Sequence, residues 1–289
     1  MREIVIQKPQ TLDALVGILD EMGVSAKFLA GGTDLIIELR KGTLQPTELV
    51  DLSGIQALQG IKEEGDDIHI GAMTTFCDME NSSVIKRYAT CLYDAAKLVG
   101  STQIRNTATI GGNICNASPA ADGCAALLAL GAEIWACRRG ENFEWMRLDE
   151  FLSEKADKKH SEPLFLREIR IKKMGANERA AFAKLGNRST VTISQLILAG
   201  VVAFNADTHV IERATLVLGA VGRNSFVDHR TSNWLLGQHM DCINQRALYQ
   251  QLKTTIQEAI PTRPSVAYKS IAIAGLADDI YQKIFIADA

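Results

Sequence analysis

The alternation of apolar and polar positions predicts that the chain begins with a small parallel sheet. Three short apolar runs alternate with two segments of helical spacing: strands at 3–6, 26–30 and 47–51, and helices at 12–19 and 35–41. Thr11 is placed to cap the first helix, and Gly42 to end the second. The β-α-β-α-β order that results is typical of a largely parallel sheet.

The pattern changes after residue 55 and predicts antiparallel strands. The predicted elements of this middle part are a hairpin at 61–70, a helix at 84–99, strands at 133–137, 144–147 and 164–171, and a polar surface loop at 153–162. Residues 1–175 are therefore interpreted as one α+β domain with subdomains at about 1–55 and 56–175.

A charged, apolar-poor segment at 172–179 marks the predicted boundary to a second domain, 176–289. Its predicted elements are strands at 180–185, 190–204 and 211–221, followed by helices at 244–260 and 267–285. The simplest arrangement is a three-stranded antiparallel sheet covered by helices, which keeps the whole chain in the α+β class.

Composition restricts the classes of function. The chain has 289 residues and a formal net charge of -3, without the basic excess typical of nucleic-acid-binding proteins. No apolar run approaches the roughly 20 residues needed to cross a bilayer. The first ten residues lack the features of a signal peptide, so we expect a cytoplasmic protein that binds neither nucleic acid nor membrane.

Cysteine and histidine spacing gives no support for a metal site. Six cysteines occur without any C-x-x-C pair, whereas iron–sulfur ligands come in closely spaced sets. The five histidines include no H-E-x-x-H motif. We therefore predict structural, reduced thiols and no metal ligands in this chain.

The first candidate site is the stretch FLAGGTDL at 28–35, where a strand turns into a helix. Gly31 and Gly32 permit unusual backbone angles and leave the peptide N–H groups open to a ligand. Thr33 is a candidate N-cap, and consecutive N–H groups at a helix start can bind phosphate. A tight turn without any ligand explains this loop, taken alone, equally well.

A second glycine loop, TIGGNICNASPAAD, covers residues 109–122. A strand at 108–110 is predicted to lead into Gly111 and Gly112, and Ser118 with Pro119 is predicted to open a helix that runs to residue 130. Asp122 lies in the first turn of that helix, where it either complements the helix dipole or accepts a hydrogen bond from a ligand.

Neither loop contains G-x-G-x-x-G or G-x-x-x-x-G-K-[ST], which argues against a standard NAD fold and a P-loop kinase. Two separate backbone cradles suit a long ligand with a central diphosphate, and a dinucleotide has that shape.

The two loops together resemble the flavin-binding signatures of the FAD subunit of molybdenum hydroxylases, the family of xanthine, carbon monoxide and nicotinate dehydrogenases. The resemblance covers essentially the whole chain. It implies the two-subdomain FAD-binding fold of the vanillyl-alcohol oxidase (PCMH) type, followed by a domain of the carbon monoxide dehydrogenase flavoprotein C-terminal type.

The resemblance also implies which residues contact FAD. Residues 28–35 correspond to the diphosphate-binding loop, and Leu166 and Lys184 to an apolar residue and a lysine beside the cofactor. The complete implied set is Lys27, Phe28, Leu29, Ala30, Gly31, Gly32, Thr33, Asp34, Leu35, Gly100, Thr109, Ile110, Gly111, Gly112, Asn113, Asn116, Ser118, Asp122, Leu166 and Lys184.

The implied activity is electron transfer within a larger oxidoreductase. A large partner subunit with a molybdopterin-bound molybdenum hydroxylates the substrate, and a small partner subunit with two 2Fe–2S clusters passes the electrons to FAD. The acceptor is NAD or another compound, the default substrate is xanthine or a related purine, and a dimer of heterotrimers is the expected assembly. We expect no catalytic acid–base residue in this chain.

Two alternatives remain open at the level of sequence. One is a stand-alone FAD oxidoreductase of the same superfamily that acts directly on a small substrate. The other is a binding or assembly subunit that has lost its flavin, although the intact glycines of both loops argue against that loss.

Overall fold

The computed structural model describes residues 4–21, 23, 25–138, 142–156, 164–188 and 191–286. The first sheet has three parallel strands in the order β1-β3-β2: β1 (Val5–Gln7), β2 (Lys27–Leu29) and β3 (Glu48–Asp51). Helices α1 (Leu12–Glu21) and α2 (Leu35–Lys41) connect them. Thr11 Oγ1 accepts a hydrogen bond from the Ala14 amide, and Gly42 ends α2 at φ 72°, so both predicted helix ends are confirmed.

The second sheet is antiparallel and has the order β4-β5-β8-β6-β7. Its strands are β4 (Ile61–Glu64), β5 (Asp67–Gly71), β6 (Glu133–Cys137), β7 (Glu144–Arg147) and β8 (Phe165–Lys172). The helices of this part are α3 (Phe76–Glu80), α4 (Ser83–Tyr88), α5 (Thr90–Leu98), α6 (Thr102–Arg105), α7 (Ile110–Asn116), α8 (Asp122–Ala129) and α9 (Leu148–Ala156).

The third sheet is also antiparallel and has four strands rather than the predicted three. Its order is β12-β11-β10-β9, with β9 (Glu178–Gly186), β10 (Ser194–Phe204), β11 (Ile211–Gly219) and β12 (Phe226–Val227). Helices α10 (His229–Leu235), α11 (Gln245–Ala259) and α12 (Val266–Tyr281) follow, and a π-helical turn covers Gln282–Ile286.

Two other predictions in the middle region were wrong. The helix predicted at 84–99 is interrupted at Ala89, whose φ -147° and ψ 55° lie outside the helical region. The predicted loop at 153–162 begins inside α9, because Phe151 and Leu152 are buried and anchor that helix. The remainder of this predicted loop, 157–162, lies outside the described residues.

Helix α8 lies in the interior between the second and third sheets. All eight of its residues are buried, which fits a sequence, DGCAALLA, that offers no continuous polar face. The same apolar cluster contains Ile134 of β6 and Val217 of β11, so one core spans both sheets. The other face of the third sheet packs against α10, α11 and α12. Among the described residues no helix is both long and apolar enough to span a bilayer.

Candidate functional site

The two glycine loops lie directly against each other. A Cβ atom placed on Gly31 would lie 1.9 Å from the carbonyl oxygen of Thr107, and one on Gly112 would lie 3.7 Å from the Cβ of Ala30. A side chain at position 31 would therefore separate the loops. The structure thus brings together two segments that are about eighty positions apart in the sequence, and glycine is the residue that allows this contact.

A side-chain hydrogen bond also connects the loops. Asn116 Nδ2 donates to Asp34 Oδ2 at 3.1 Å, and both residues are exposed. Asp34 occupies the N-cap position of α2 and its side chain accepts no capping hydrogen bond, so the prediction that Thr33 is the N-cap was wrong. The Asp34 carboxylate is free to hold Asn116 because it does not cap its own helix.

The first loop presents a run of backbone donors. Within the described part of the chain, no acceptor is found for the amides of Gly31, Gly32, Thr33 and Asp34. Gly32 has φ 70°, which favours glycine and turns the chain sharply before α2. Amides of this kind, at the end of a strand and the start of a helix, match the acceptor oxygens of a diphosphate.

In the second loop, by contrast, the backbone amides of residues 110–112 donate hydrogen bonds within the protein. Residues 108–110 do not form the predicted strand: Thr109 makes one isolated bridge to Thr75, and its Oγ1 accepts a hydrogen bond from the Gly112 amide at 3.1 Å as the N-cap of α7. The amides of Ile110 and Gly111 donate to carbonyl oxygens of residues 74 and 72. This loop is therefore fixed to the second sheet, and the contact of residues 109–113 with a cofactor stays a prediction.

The segment after α7 also differs from the prediction. Ala117 has φ 50° and ends α7, and Ser118 accepts a hydrogen bond from the Ala120 amide within a turn. Helix α8 begins only at Asp122, so the expected start at Ser118 and Pro119 was wrong. Asn113 Oδ1 accepts the amide hydrogen of Cys124 at 3.1 Å, which holds α7 against α8.

Asp122 forms a buried ion pair with Lys184. The Lys184 Nζ lies 2.6 Å from Asp122 Oδ2 and donates a second hydrogen bond to the Leu98 carbonyl at 3.0 Å. Ser194 Oγ donates to the other carboxylate oxygen at 2.6 Å. Burial raises the pKa of the Asp122 carboxyl, whereas Lys184 and Ser194 lower it. Both carboxylate oxygens therefore accept hydrogen bonds from the protein itself.

Sequence reasoning selected Asp122 and Lys184 separately and missed their contact. It also missed Ser194, the first residue of β10. The separations of 62 and 72 residues leave no local pattern from which these partners could have been found. Gly100 lies near the same pair: it has φ 45° and follows Leu98, which accepts the lysine hydrogen bond, by two positions.

The other predicted residues surround the start of the first loop. Phe28 packs its ring against Phe165 of β8, with ring centroids 5.6 Å apart, and Leu166 is buried in the next position of that strand. Lys27 pairs with Leu49 in the first sheet. These residues join the first sheet to the second beside the glycine loops.

A separate polar cluster lies near the turn of the β10–β11 hairpin, at the end away from Ser194. Single ligand atoms of His209, His239 and Asp241 lie within 4.8 Å of one another. The Asp241 amide already donates to His239 Nδ1 at 3.3 Å.

Comparisons of the sequence with a family model and with known proteins point to the same family. Residues 2–172 match the model described as the FAD binding domain in molybdopterin dehydrogenase. The nicotinate dehydrogenase FAD-subunit of Eubacterium barkeri is 31% identical and covers 99% of this chain and 96% of its own length. The xanthine dehydrogenase FAD-binding subunit of Escherichia coli O157:H7 is 38% identical over 38% of each chain.

A solved structure extends the likeness to the whole fold. Carbon monoxide dehydrogenase from Hydrogenophaga pseudoflava superposes with a TM-score of 0.86 over 99% of both chains, at 23% identity. The match includes the third sheet and its helices, beyond the residues matched by the family model. The expected α+β fold is confirmed, and the chain belongs to the FAD-binding subunits of the molybdenum hydroxylase family.

Proposed function

We propose that this chain accepts electrons from the 2Fe–2S clusters of a small partner subunit and transfers them to NAD or another acceptor. The observation that carries the proposal is the junction of the two glycine loops, where Gly31 permits backbone contact and four successive amides remain without acceptors in the described part of the chain. Membership of the family supplies the context of a molybdenum hydroxylase.

The chain's own residues have separate roles in holding FAD. The amides of 31–34 bind the diphosphate oxygens. Lys27, Phe28 and Leu166 would line the groove beside the first loop, and Asn113 and Asn116 would line it beside the second. The other loop positions complete the groove: Leu29, Ala30, Leu35, Thr109, Ile110, Gly111, Gly112 and Ser118. When bound, FAD exchanges electrons singly with iron–sulfur clusters and in pairs with a hydride acceptor.

Lys184 and Gly100 are the residues that we place nearest the flavin ring. A lysine in that position would favour extra negative charge on the cofactor, but Asp122 neutralises this lysine at 2.6 Å. We therefore propose that the ion pair acts as an oriented dipole and that Lys184 does not contribute a full positive charge. The contact of Lys184 with Asp122, at the end of the second glycine loop, supports this arrangement.

The substrate we propose is a nitrogen heterocycle that is hydroxylated beside a ring nitrogen at the molybdenum subunit. Xanthine is the default from sequence, and one relative that covers nearly the whole chain is a nicotinate dehydrogenase subunit. Both compounds are therefore the first to assay. We also propose a cytoplasmic complex with a large molybdenum subunit and a small 2Fe–2S subunit, assembled as a dimer of heterotrimers.

Purification of the native complex tests this proposal. We expect molybdenum, iron and FAD to co-purify, and we expect xanthine, nicotinate or a related heterocycle to reduce NAD or an artificial dye. The subunit composition and mass of the complex test the assembly in the same preparation. A preparation that holds FAD but reacts with substrate without any partner subunit or molybdenum would contradict the proposal and favour a stand-alone oxidoreductase.

A further inference from the structure

A pocket lies between the turn that precedes α8 and the third sheet with its helices. Its volume is about 490 Å³, within the roughly 300–1,000 Å³ typical of small-molecule sites. One wall is the turn at 118–120, and the other walls come from the third sheet and the helical region after it. The lining residues from those walls are Ser194, Gln195, Ala220, Gly222, Arg223, Arg263 and Lys269.

The charged side chains that line this pocket are all positive. Arg223, Arg263 and Lys269 line it, and none of the lining residues that the structure describes is acidic. Arg263 donates to the Val221 carbonyl at 3.2 Å, and Lys269 donates to the Ala220 carbonyl. Over the described ranges, neither Arg263 nor Lys269 forms an ion pair with a carboxylate.

Lys269 is the unusual member of the set because it is nine-tenths buried. A buried ammonium group normally has an anionic partner, since removal of charge from water is costly. Burial and the neighbouring Arg263 both lower the pKa of Lys269. A carbonyl oxygen satisfies one of its hydrogens but does not balance its charge.

The buried carboxylate connected to the pocket does not balance these charges either. Ser194 lines the pocket, and its hydroxyl donates to Asp122 Oδ1. The other oxygen of Asp122 is paired with Lys184 at 2.6 Å, so this carboxylate is already neutralised. Within the described part of the chain, Arg263 and Lys269 therefore keep a positive charge that no carboxylate balances.

We infer that this pocket binds a small organic anion through a phosphate or carboxylate group. Arginine and lysine together supply the donors that such oxyanions require. The volume leaves room for a ligand that extends beyond its charged group, as a nucleotide or a polycarboxylate does. The amides of 31–34, to which we assign diphosphate binding, do not line the pocket, although Ser118 at the end of the second glycine loop does. The pocket is therefore tested separately from flavin binding.

Calorimetric titration of the full chain, saturated with FAD to occupy the cofactor groove, tests the inference. The probes are ADP, inorganic phosphate and citrate, each titrated into the native chain, Arg263→Gln and the control Arg246→Gln. Arg246 is exposed on α11 and does not line the pocket. We expect at least one probe to bind once per chain and Arg263→Gln to weaken it roughly tenfold, with Arg246→Gln unchanged.

The probe that binds identifies the charged group of the ligand. Binding of ADP and phosphate in competition assigns a phosphate ligand, and binding of citrate alone assigns a carboxylate ligand. Absence of binding by all three probes, or equal affinity of the two arginine variants, would overturn the inference. Titration of phosphate and citrate without FAD, in the native chain and in Arg263→Gln, separates this result from a failure of flavin binding. An anion bound at the free amides of 31–34 would not respond to Arg263→Gln, because those amides do not line the pocket.

Discussion

Lys184 Nζ lies 2.6 Å from the Asp122 carboxylate, and both side chains are almost completely buried. The pair links α8 of the FAD-binding domain to β9 of the C-terminal sheet, and Ser194 of β10 contacts the same carboxylate. Lys184, which we place beside the flavin ring, therefore also holds α8 against the third sheet. Substitution in this group changes stability as well as the environment of the cofactor.

Replacement of Lys184 by methionine should destabilise the chain at neutral pH. The substitution leaves a buried carboxylate without its cation, which typically costs about 3–5 kcal/mol. Without Lys184 only burial and Ser194 act on the Asp122 pKa, so this pKa rises further. The folded variant then keeps a proton that the unfolded chain releases, and its stability falls as the pH rises above the usual aspartate range. Urea unfolding at several pH values measures both effects.

The double variant Lys184→Met with Asp122→Asn is the matched control for that experiment. It removes both charges and should recover most of the lost stability, and FAD content then separates the stabilising role of the pair from its cofactor role. If Lys184→Met alone unfolds at the same urea concentration as the native chain, the buried ion pair does not stabilise the structure. If it also leaves FAD content and the flavin potential unchanged, Lys184 does not act on the cofactor.

Replacement of Gly31 by alanine should abolish or strongly weaken FAD binding. The new Cβ atom would lie 1.9 Å from the backbone oxygen of Thr107, so the two glycine loops must move apart. We expect a loss of about 1–3 kcal/mol in stability, as for other overpacked sites, and loss of flavin after gel filtration. Gly17→Ala is the control, because Gly17 is exposed in α1 and a methyl group there would have no other atom within 4 Å.

The control variant should retain FAD and gain up to about 1 kcal/mol in stability, since alanine favours a helix more than glycine does. Equal FAD affinity in Gly31→Ala and Gly17→Ala would show that contact between the loops is not needed for the cofactor.

Replacement of Asn116 by aspartate should weaken FAD binding moderately. The native amide donates to Asp34 at 3.1 Å, and the new carboxylate would repel it instead. For an exposed pair we expect roughly 1 kcal/mol, or about a fivefold loss in FAD affinity. Fluorescence titration with FAD at two salt concentrations measures this loss, which should be smaller at high salt. Asn233→Asp, on the exposed face of α10, makes the same change of charge elsewhere. Similar losses in both variants would indicate an effect of net charge alone.

Buried cysteines should react more slowly with thiol reagents than the exposed Cys242. Burial raises the pKa of Cys91 to about 12 and that of Cys115 to about 11, and it also raises the pKa of Cys124. Cys242 is exposed and should react first with an alkylating reagent at pH 8. The three thiols with a raised pKa should react only after unfolding, as peptide mass spectrometry can determine. Rapid labelling of Cys91 in the folded chain would contradict the described core.

The same pKa values predict how stability depends on alkaline pH. Between the ordinary thiol pKa of 9.0 and about 12, the folded chain retains the Cys91 proton that the unfolded chain loses. Stability should therefore decrease as the pH rises through this range. Cys91→Ala should reduce this dependence, whereas Cys242→Ala should leave it unchanged. Equal pH dependence in both variants would contradict the assignment to Cys91.

The elements with strong local signals could be predicted from sequence. Thr11 and Gly42 define the ends of their helices through interactions within a few residues, and the hairpin at 61–70 contains its own turn. The first parallel sheet followed from the order of short apolar runs between helices. The contact between the two glycine loops could not be derived, because Gly31 and Thr107 are distant in sequence.

The errors have physical causes that no local pattern reveals. Pro119 and Ser118 resemble a helix start, but the left-handed conformation of Ala117 and the following turn delay α8 to Asp122. Strand β12 is only two residues long and is defined by its pairing with β11. So short a strand has no recognisable pattern in the sequence. The buried contacts of Asp122 with Lys184 and Ser194 depend on packing of α8 against the C-terminal sheet, which is a property of the complete fold.

The central claim is that the joined glycine loops hold one FAD per chain. The most direct test is the flavin content of the purified chain, alone and with its partner subunits, measured by visible absorption and by release of FAD on denaturation. We predict one FAD per chain in the native protein and almost none in Gly31→Ala. A native chain that remains colourless after incubation with FAD and its partner subunits would contradict the account.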